Sequence, residues 1–150
     1  MKKQLLIIIF LFATLSGFSQ NAKRVESFNL EKKTALQAYD PIAYFKQKKA
    51  IKGKKEVSFT YEGVIYNFST KENKETFAKM PAIYEPQYGG WCAYAMGSSG
   101  DKVEVDPETF KIIDNKLYLF YNAYFNNTLK SWNKDEKNLK MKADLNWKKY

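Results

Sequence analysis

The sequence predicts an α+β domain: a small antiparallel sheet built from two hairpins, about residues 56–68 and 110–120, wrapped by short helices. Three observations carry this expectation. Two runs alternate apolar residues across a tight turn, several short segments space apolar residues at helical intervals, and capping residues mark where those segments begin.

In the first hairpin Val57, Phe59 and Tyr61 alternate, Glu62-Gly63 turns, and Val64 to Phe68 returns with Tyr66 and Phe68 on one face. Ser69-Thr70-Lys71-Glu72 then reads as a capping box, with Ser69 accepting from the first turn and Glu72 reaching back. The helix that follows brings Asn73, Phe77 and Met80 inward and stops before Pro81, and a second short helix covers Ala82 to Tyr84. Upstream, Asp40-Pro41 opens a helix carrying Ile42, Ala43 and Phe45, because Asp40 can cap free amides and Pro41 has its φ already set. The second hairpin is Phe110 to Ile113, a turn at Asp114-Asn115, and Lys116 to Phe120; Asp106-Pro107 ahead of it predicts one helical turn to Thr109. Ala123 to Trp132 is expected to be helical with Phe125, Leu129 and Trp132 on one side. A last helix, capped by Asp135, turns Leu139, Ala143 and Trp147 inward. No repeat or compositional shift divides residues 35–150, which form one domain, and the polar, aperiodic residues 20–34 predict a loose arm.

The start of the chain has the layout of a secretory signal peptide over residues 1–19. Lys2 and Lys3 precede an apolar run from Leu5 to Leu15, and Gly17 and Ser19 supply the small side chains of a cleavage box before Gln20. The run is eleven residues, short of the about 20 that cross a bilayer. No later stretch is apolar enough to span one. The expected product, cut near Ser19/Gln20, works in the periplasm or is fully secreted. Removing 19 of 150 residues leaves 131, and losing Lys2 and Lys3 lowers the net charge from +9 to +7.

That positive charge does not predict a nucleic-acid partner. The lysines are spread along the chain and Arg24 is the only arginine, whereas readers of phosphates and bases lean on the guanidinium fork. A merely solvated lysine surface is the better account, with loose attraction to anionic lipid or polysaccharide as the alternative. Histidine is absent, which excludes Ser-His-Asp and Cys-His catalysis and the commonest zinc ligand. No catalytic residue is nominated, and a non-enzymatic role is expected.

Cys92 is the only cysteine, so no disulfide forms within the chain. Trp91 to Met96 is expected to be helical, and Cys92 and Met96, four apart, would then share a face. A thiolate and a thioether suit Cu(I) or another soft metal, with Met80 and Met141 as further donors if the fold brings them near. The same two side chains serve equally well as core filling. Tyr84, Tyr88, Trp91 and Tyr94 crowd around Gly89-Gly90, a grouping that suits a small-ligand groove or the edge of a core. Asp101, Glu104 and Asp106 offer oxygen ligands for a hard cation, without a recognised loop spacing.

Several ordered motifs together resemble the exported bacterial YHS-domain proteins. They are Ala38-Tyr39-Asp40-Pro41-Ile42-Ala43-Tyr44-Phe45, Gly63 with Tyr66-Asn67-Phe68-Ser69 and Glu72-Asn73, Pro86-Gln87-Tyr88-Gly89-Gly90-Trp91-Cys92-Ala93-Tyr94, and Asp106-Pro107 with Ile113 to Leu119. The closing Ala143-Asp144-Leu145-Asn146-Trp147 belongs to the same resemblance, which spans about Thr34 to Trp147. The wider superfamily includes cysteine-bearing metal modules, but their cysteine positions correspond here to Ala43 and to Asn67-Phe68-Ser69, so that ligand pattern does not carry over. Ala38, where the exported group more often has glycine, and Tyr121 to Asn127 also depart from it. Three readings follow: an extracytoplasmic binding domain holding a soft metal or small ligand near Cys92, a thiol redox partner using Cys92, or a structural or protein-interaction domain with an inert cysteine.

Overall fold

The computed structural model describes residues 21–150; the expected leader and its cleavage point at Ser19/Gln20 lie outside the described residues. Alternation decides the centre of the fold. In β4 (Val64–Phe68) the side chains of Val64, Tyr66 and Phe68 point into the core, so Ile65 and Asn67 face the other way. β3 (Lys54–Tyr61) pairs antiparallel with β4 across the Glu62-Gly63 turn, with a bulge between Lys54 and Ser58. The opposite edge of β4 takes a parallel partner, β2 (Thr34–Ala35), in register Thr34 to Ile65, and β1 (Leu30–Glu31) pairs with β2.

The α+β class holds, and both expected hairpins form. They hydrogen-bond in separate sheets: the four strands β1-β2-β4-β3, and the pair β5 (Asp106–Ile113) with β6 (Lys116–Phe120). Both faces of β6 are buried. Leu117 and Leu119 join the cluster around Tyr66, Phe68 and Phe77, while Tyr118 and Phe120 join a second one with Tyr88, Met96, Trp132 and Ala143. Single bridges from Pro86 to Leu117 and from Cys92 to Leu119 attach the 86–92 segment to this strand.

The helices largely start where capping predicts. α1 covers residues 21–27. α2 (Pro41–Lys46) is capped by Asp40, whose Oδ1 accepts from the amides of Ile42 and Ala43 at 2.9 and 3.4 Å. α3 (Lys71–Lys79) is capped one residue later than expected. Thr70 accepts from the Asn73 amide at 3.1 Å, while Ser69 donates both N–H and O–H to Asp40 Oδ2 at 2.8 and 2.6 Å. Asn73 adds a further donor to that oxygen at 2.7 Å, so the fully buried Asp40 carboxylate is saturated. α4 (Pro81–Tyr84), α5 (Ala93–Ser98), α6 (Thr128–Trp132) and α7 (Glu136–Trp147) complete the shell. Asp135 precedes α7 without bonding its free amides.

Four expectations are corrected. The loose arm is instead ordered. Its α1 is fastened by Arg24, which pairs with Glu85 and Glu62 and lies over the rings of Phe28 and Tyr61, and residues 30–35 form the β1–β2 hairpin. Asp106 to Thr109 belongs to β5, where the Asp106 carboxylate bonds Glu108 N–H and the Thr109 hydroxyl inside a bulge rather than opening a helical turn. Ala123 to Asn127 is a third hairpin, β7 (Asn122–Ala123) with β8 (Asn126–Asn127), and Tyr124 and Phe125 project from its tip fully into solvent. Met80 is exposed, not inward.

Candidate functional site

The expected site around Cys92 is closed. Cys92 precedes α5 as its N-cap residue instead of riding on the helix, and it is fully buried. Its Sγ accepts from the Tyr121 amide at 3.3 Å and contacts the Thr128 hydroxyl at 3.4 Å. That hydroxyl in turn donates to the Tyr121 carbonyl at 2.9 Å. The thiol therefore pins the base of the β7–β8 hairpin. Met96 is also buried but belongs to the second cluster, with Trp132 and Tyr118, while Met80 and Met141 lie on the surface. Enclosed sulfur on one side and surface thioethers on the other do not make a soft-metal donor set. Among the described residues no three His, Cys, Asp or Glu side chains converge to hold a metal ion. Asp101, Glu104 and Asp106 instead accept from Ser99, Asn29 and Thr109 respectively.

The aromatic residues near Gly89-Gly90 seal the join between residues 27–29 and residues 144–147. Tyr88 is buried at φ 55° and donates to Asp144 Oδ1 at 2.9 Å; burial, then that carboxylate, pushes its phenol far up. A side chain on Gly89, at φ 60°, would strike Phe28 and Trp147 at 2.9 Å, so only glycine permits the approach. Its carbonyl accepts from Asn29 N–H at 2.9 Å. Gly90 sits at φ 89°, and Trp91 donates its indole N–H to the Ser27 carbonyl at 2.8 Å. Tyr84 stacks edge-on against Phe45 at 5.3 Å, and Tyr94 packs against both core clusters.

The largest of the described clefts, about 780 Å³, lies elsewhere, on the outer face of the four-stranded sheet. Ile65 and Asn67 of β4 form its floor. Ser58 faces Asn67 across the β3–β4 register, Thr34 faces Ile65 across β2–β4, and the β3 bulge carries Lys55 to one wall. The other wall is Glu31 and Lys32 with Ala38. Ala38 ends a left-handed run, Leu36, Gln37 and Ala38 at φ 57°, 48° and 67°. Such φ values are costly for residues with a Cβ and persist only when the surroundings enforce them. The surroundings do so here: Gln37 donates to the Val105 carbonyl at 3.1 Å, Lys52 donates to the Gln37 carbonyl at 2.7 Å, and Gly53 N–H donates to the Ala38 carbonyl at 2.8 Å. Gly53 presses so close to β4 that a Cβ would lie 2.4 Å from the Asn67 carbonyl carbon.

One buried polar atom among the residues that line this cleft is unmatched. Asn67 is 7 % exposed, and its buried Oδ1 has no hydrogen-bond partner. Two other buried polar atoms share that condition: Arg24 Nε, which still has the Glu62 carboxylate at 3.5 Å, and the Tyr118 hydroxyl, enclosed in the second core. Asn67 alone of the three lines the cleft. Among the described residues Lys32 and Lys55 enter no ion pair, and the hydroxyls of Thr34 and Ser58 make no hydrogen bond. Sequence reasoning missed this site. The signal available was the outward face of β4, Ile65 and Asn67, implied by its inward one.

Compared with known proteins, the chain matches no family model, no curated protein and no solved structure.

Proposed function

We propose that the chain is an exported, non-enzymatic binding domain of YHS-like character that holds a small polar ligand in the outer-face cleft of its four-stranded sheet. The cleft itself carries this reading: about 780 Å³ of concave space lined by the polar side chains of Lys32, Thr34, Lys55 and Ser58. Their ammonium and hydroxyl groups offer hydrogen-bond partners to a ligand lying there. The basic leader, its apolar run and its cleavage box support work outside the cytoplasm. Asn67→Leu is the direct test. It removes the buried orphan and makes the floor apolar, so the free protein gains stability, by about 1 kcal/mol, while ligand-induced shifts of the Ser58 and Ile65 amide signals weaken. A less stable variant, or one with unchanged ligand response, sinks the reading.

In this reading Cys92 is an inert structural thiol. Burial of its sulfur opposes the redox-partner alternative, which needs an accessible thiolate. It equally opposes metal capture. Native-state alkylation should therefore be slow and become fast only on unfolding; rapid labelling of the folded protein would restore the redox alternative.

A further inference from the structure

We infer that the outward face of α7 is a docking surface for an anionic lipid bilayer, a role independent of the cleft. The helix buries Leu139 and Ala143 against the body, where the Leu139 backbone meets Gly97 of α5. Its opposite side carries Met141 and Leu145, one turn apart and 55 % and 57 % exposed. A helix already packed by one apolar stripe ordinarily presents polar residues on the other side. Lysines surround the exposed pair: Lys137 stands one turn before Met141, Lys142 beside it, and Lys148 and Lys149 about one turn after Leu145. None of these four enters an ion pair among the described residues, although Lys149 donates to Asn146 Oδ1 at 2.8 Å. The acids of α7 are engaged elsewhere. Glu136 pairs with Lys111, and Asp144 accepts from the Tyr88 hydroxyl at 2.9 Å.

The two chemistries on this face ask for one occupant. A bilayer interface offers phosphates to the ammonium groups and, just beneath them, acyl chains to the apolar pair. Lysine stems can lie along that apolar layer while their heads stay among the headgroups. A second copy of the chain would set lysine against lysine. A soluble polyanion would satisfy the lysines and leave Met141 and Leu145 in water. A merely solvated lysine surface accounts for the charge but not for the apolar pair at its centre.

Co-sedimentation with vesicles tests this, using the chain from Gln20 onward so that the apolar run Leu5 to Leu15 cannot insert. Vesicles of equal parts phosphatidylglycerol and phosphatidylcholine should bind it at least about tenfold more tightly than phosphatidylcholine alone. Lys142→Gln with Lys149→Gln should weaken anionic binding by more than about tenfold, since each surface lysine contributes about fivefold. Lys48→Gln with Lys49→Gln removes the same charge from the loop after α2 and should change binding less than about twofold. Met141→Gln with Leu145→Gln keeps the charge and the helix propensity, and should weaken binding about tenfold. In Leu145→Trp the added indole should shift its emission to the blue on anionic vesicles.

Equal losses from the two lysine pairs, or full binding by the Met141→Gln, Leu145→Gln variant, overturn the docking face and leave only diffuse charge attraction. An unshifted indole in Leu145→Trp overturns the insertion of the apolar pair. No sedimentation with anionic vesicles overturns the lipid assignment. Self-association that the Met141→Gln, Leu145→Gln variant abolishes would give the face to a second copy instead.

Discussion

The Cys92 neighbourhood and the cleft over Asn67 share strand chemistry and differ in how they are finished. Around Cys92 the sulfur, the Tyr121 amide and the Thr128 hydroxyl satisfy one another, and glycines let helices and rings close without a gap. Over Asn67 the hydroxyls of Thr34 and Ser58 and the ammonium groups of Lys32 and Lys55 have no partner among the described residues, above a buried Asn67 Oδ1 that also lacks one and beside a backbone held in a left-handed run. Selection for stability alone would complete the second region as it completed the first. Local instability of this kind is tolerated where a binding role offsets it, which is what the binding proposal expects of the cleft. The difference teaches that a single cysteine, however conspicuous in a sequence, can be finished core, while an ordinary asparagine is left unpaired.

The comparison can be broken hardest at Gly97. A Cβ there would lie 2.5 Å from the Leu139 carbonyl oxygen, so Gly97→Val should cost about 3 kcal/mol or more by forcing α5 from α7. Chemical denaturation measures this, and a cost below about 1 kcal/mol would mean that the closed region is less tightly packed than described. Cys92→Ala comes next, at about 2 kcal/mol, from the lost packing and an orphaned Tyr121 amide. Its ligand response should stay intact, which separates the two regions; loss of binding would join them.

Smaller effects sharpen the picture. Tyr124 and Phe125 occupy a two-residue turn at φ 50° and 64°, where Asn-Gly is the favoured pair. The double change Tyr124→Asn with Phe125→Gly should stabilise by about 1 kcal/mol, and no gain would indicate that the aromatics pack on something.

The smallest effect is a pH slope. Burial raises the Glu85 carboxyl above the usual glutamate range, against the lowering pull of Tyr66 and Arg24, with Glu62 adding to the rise. The folded state then holds its proton where the unfolded state has lost it, so stability is greatest below the ordinary glutamate pKa. It falls as pH climbs from there through the raised value. Glu85→Gln should abolish that fall, whatever it does to absolute stability, and an unchanged slope would assign the titration elsewhere.

Turn residues explain how much of this was legible. Four two-residue hairpin loops have both residues at positive φ: Lys32-Lys33, Glu62-Gly63, Asp114-Asn115 and Tyr124-Phe125. The two with glycine or asparagine at favoured positions were readable as hairpins. The other two carry lysines and aromatics, which advertise no such turn, so the sequence there predicts a loose arm and a helix. The cleft was hidden for the same reason, because one wall hangs on Lys32 and on Leu36-Gln37-Ala38, none of them glycine. Alternation in β4 and the Asp40 cap needed only local rules, and they were visible. The Ser69-for-Thr70 exchange at α3 arose because distant Asp40 recruited Ser69.

The meeting of residues 27–28 with residues 147–150 has a kinetic consequence. Ser27 Oγ reaches the Tyr150 carbonyl at 3.3 Å, and the Phe28 and Trp147 rings lie 6.1 Å apart. α1 and the Gly89 seam therefore lack their cover until residues 147–150 are in place. Contacts spanning so much of the chain form slowly. Closing this seam is the longest-range joining in the fold, and it asks residues 27–28 and residues 147–150 to meet.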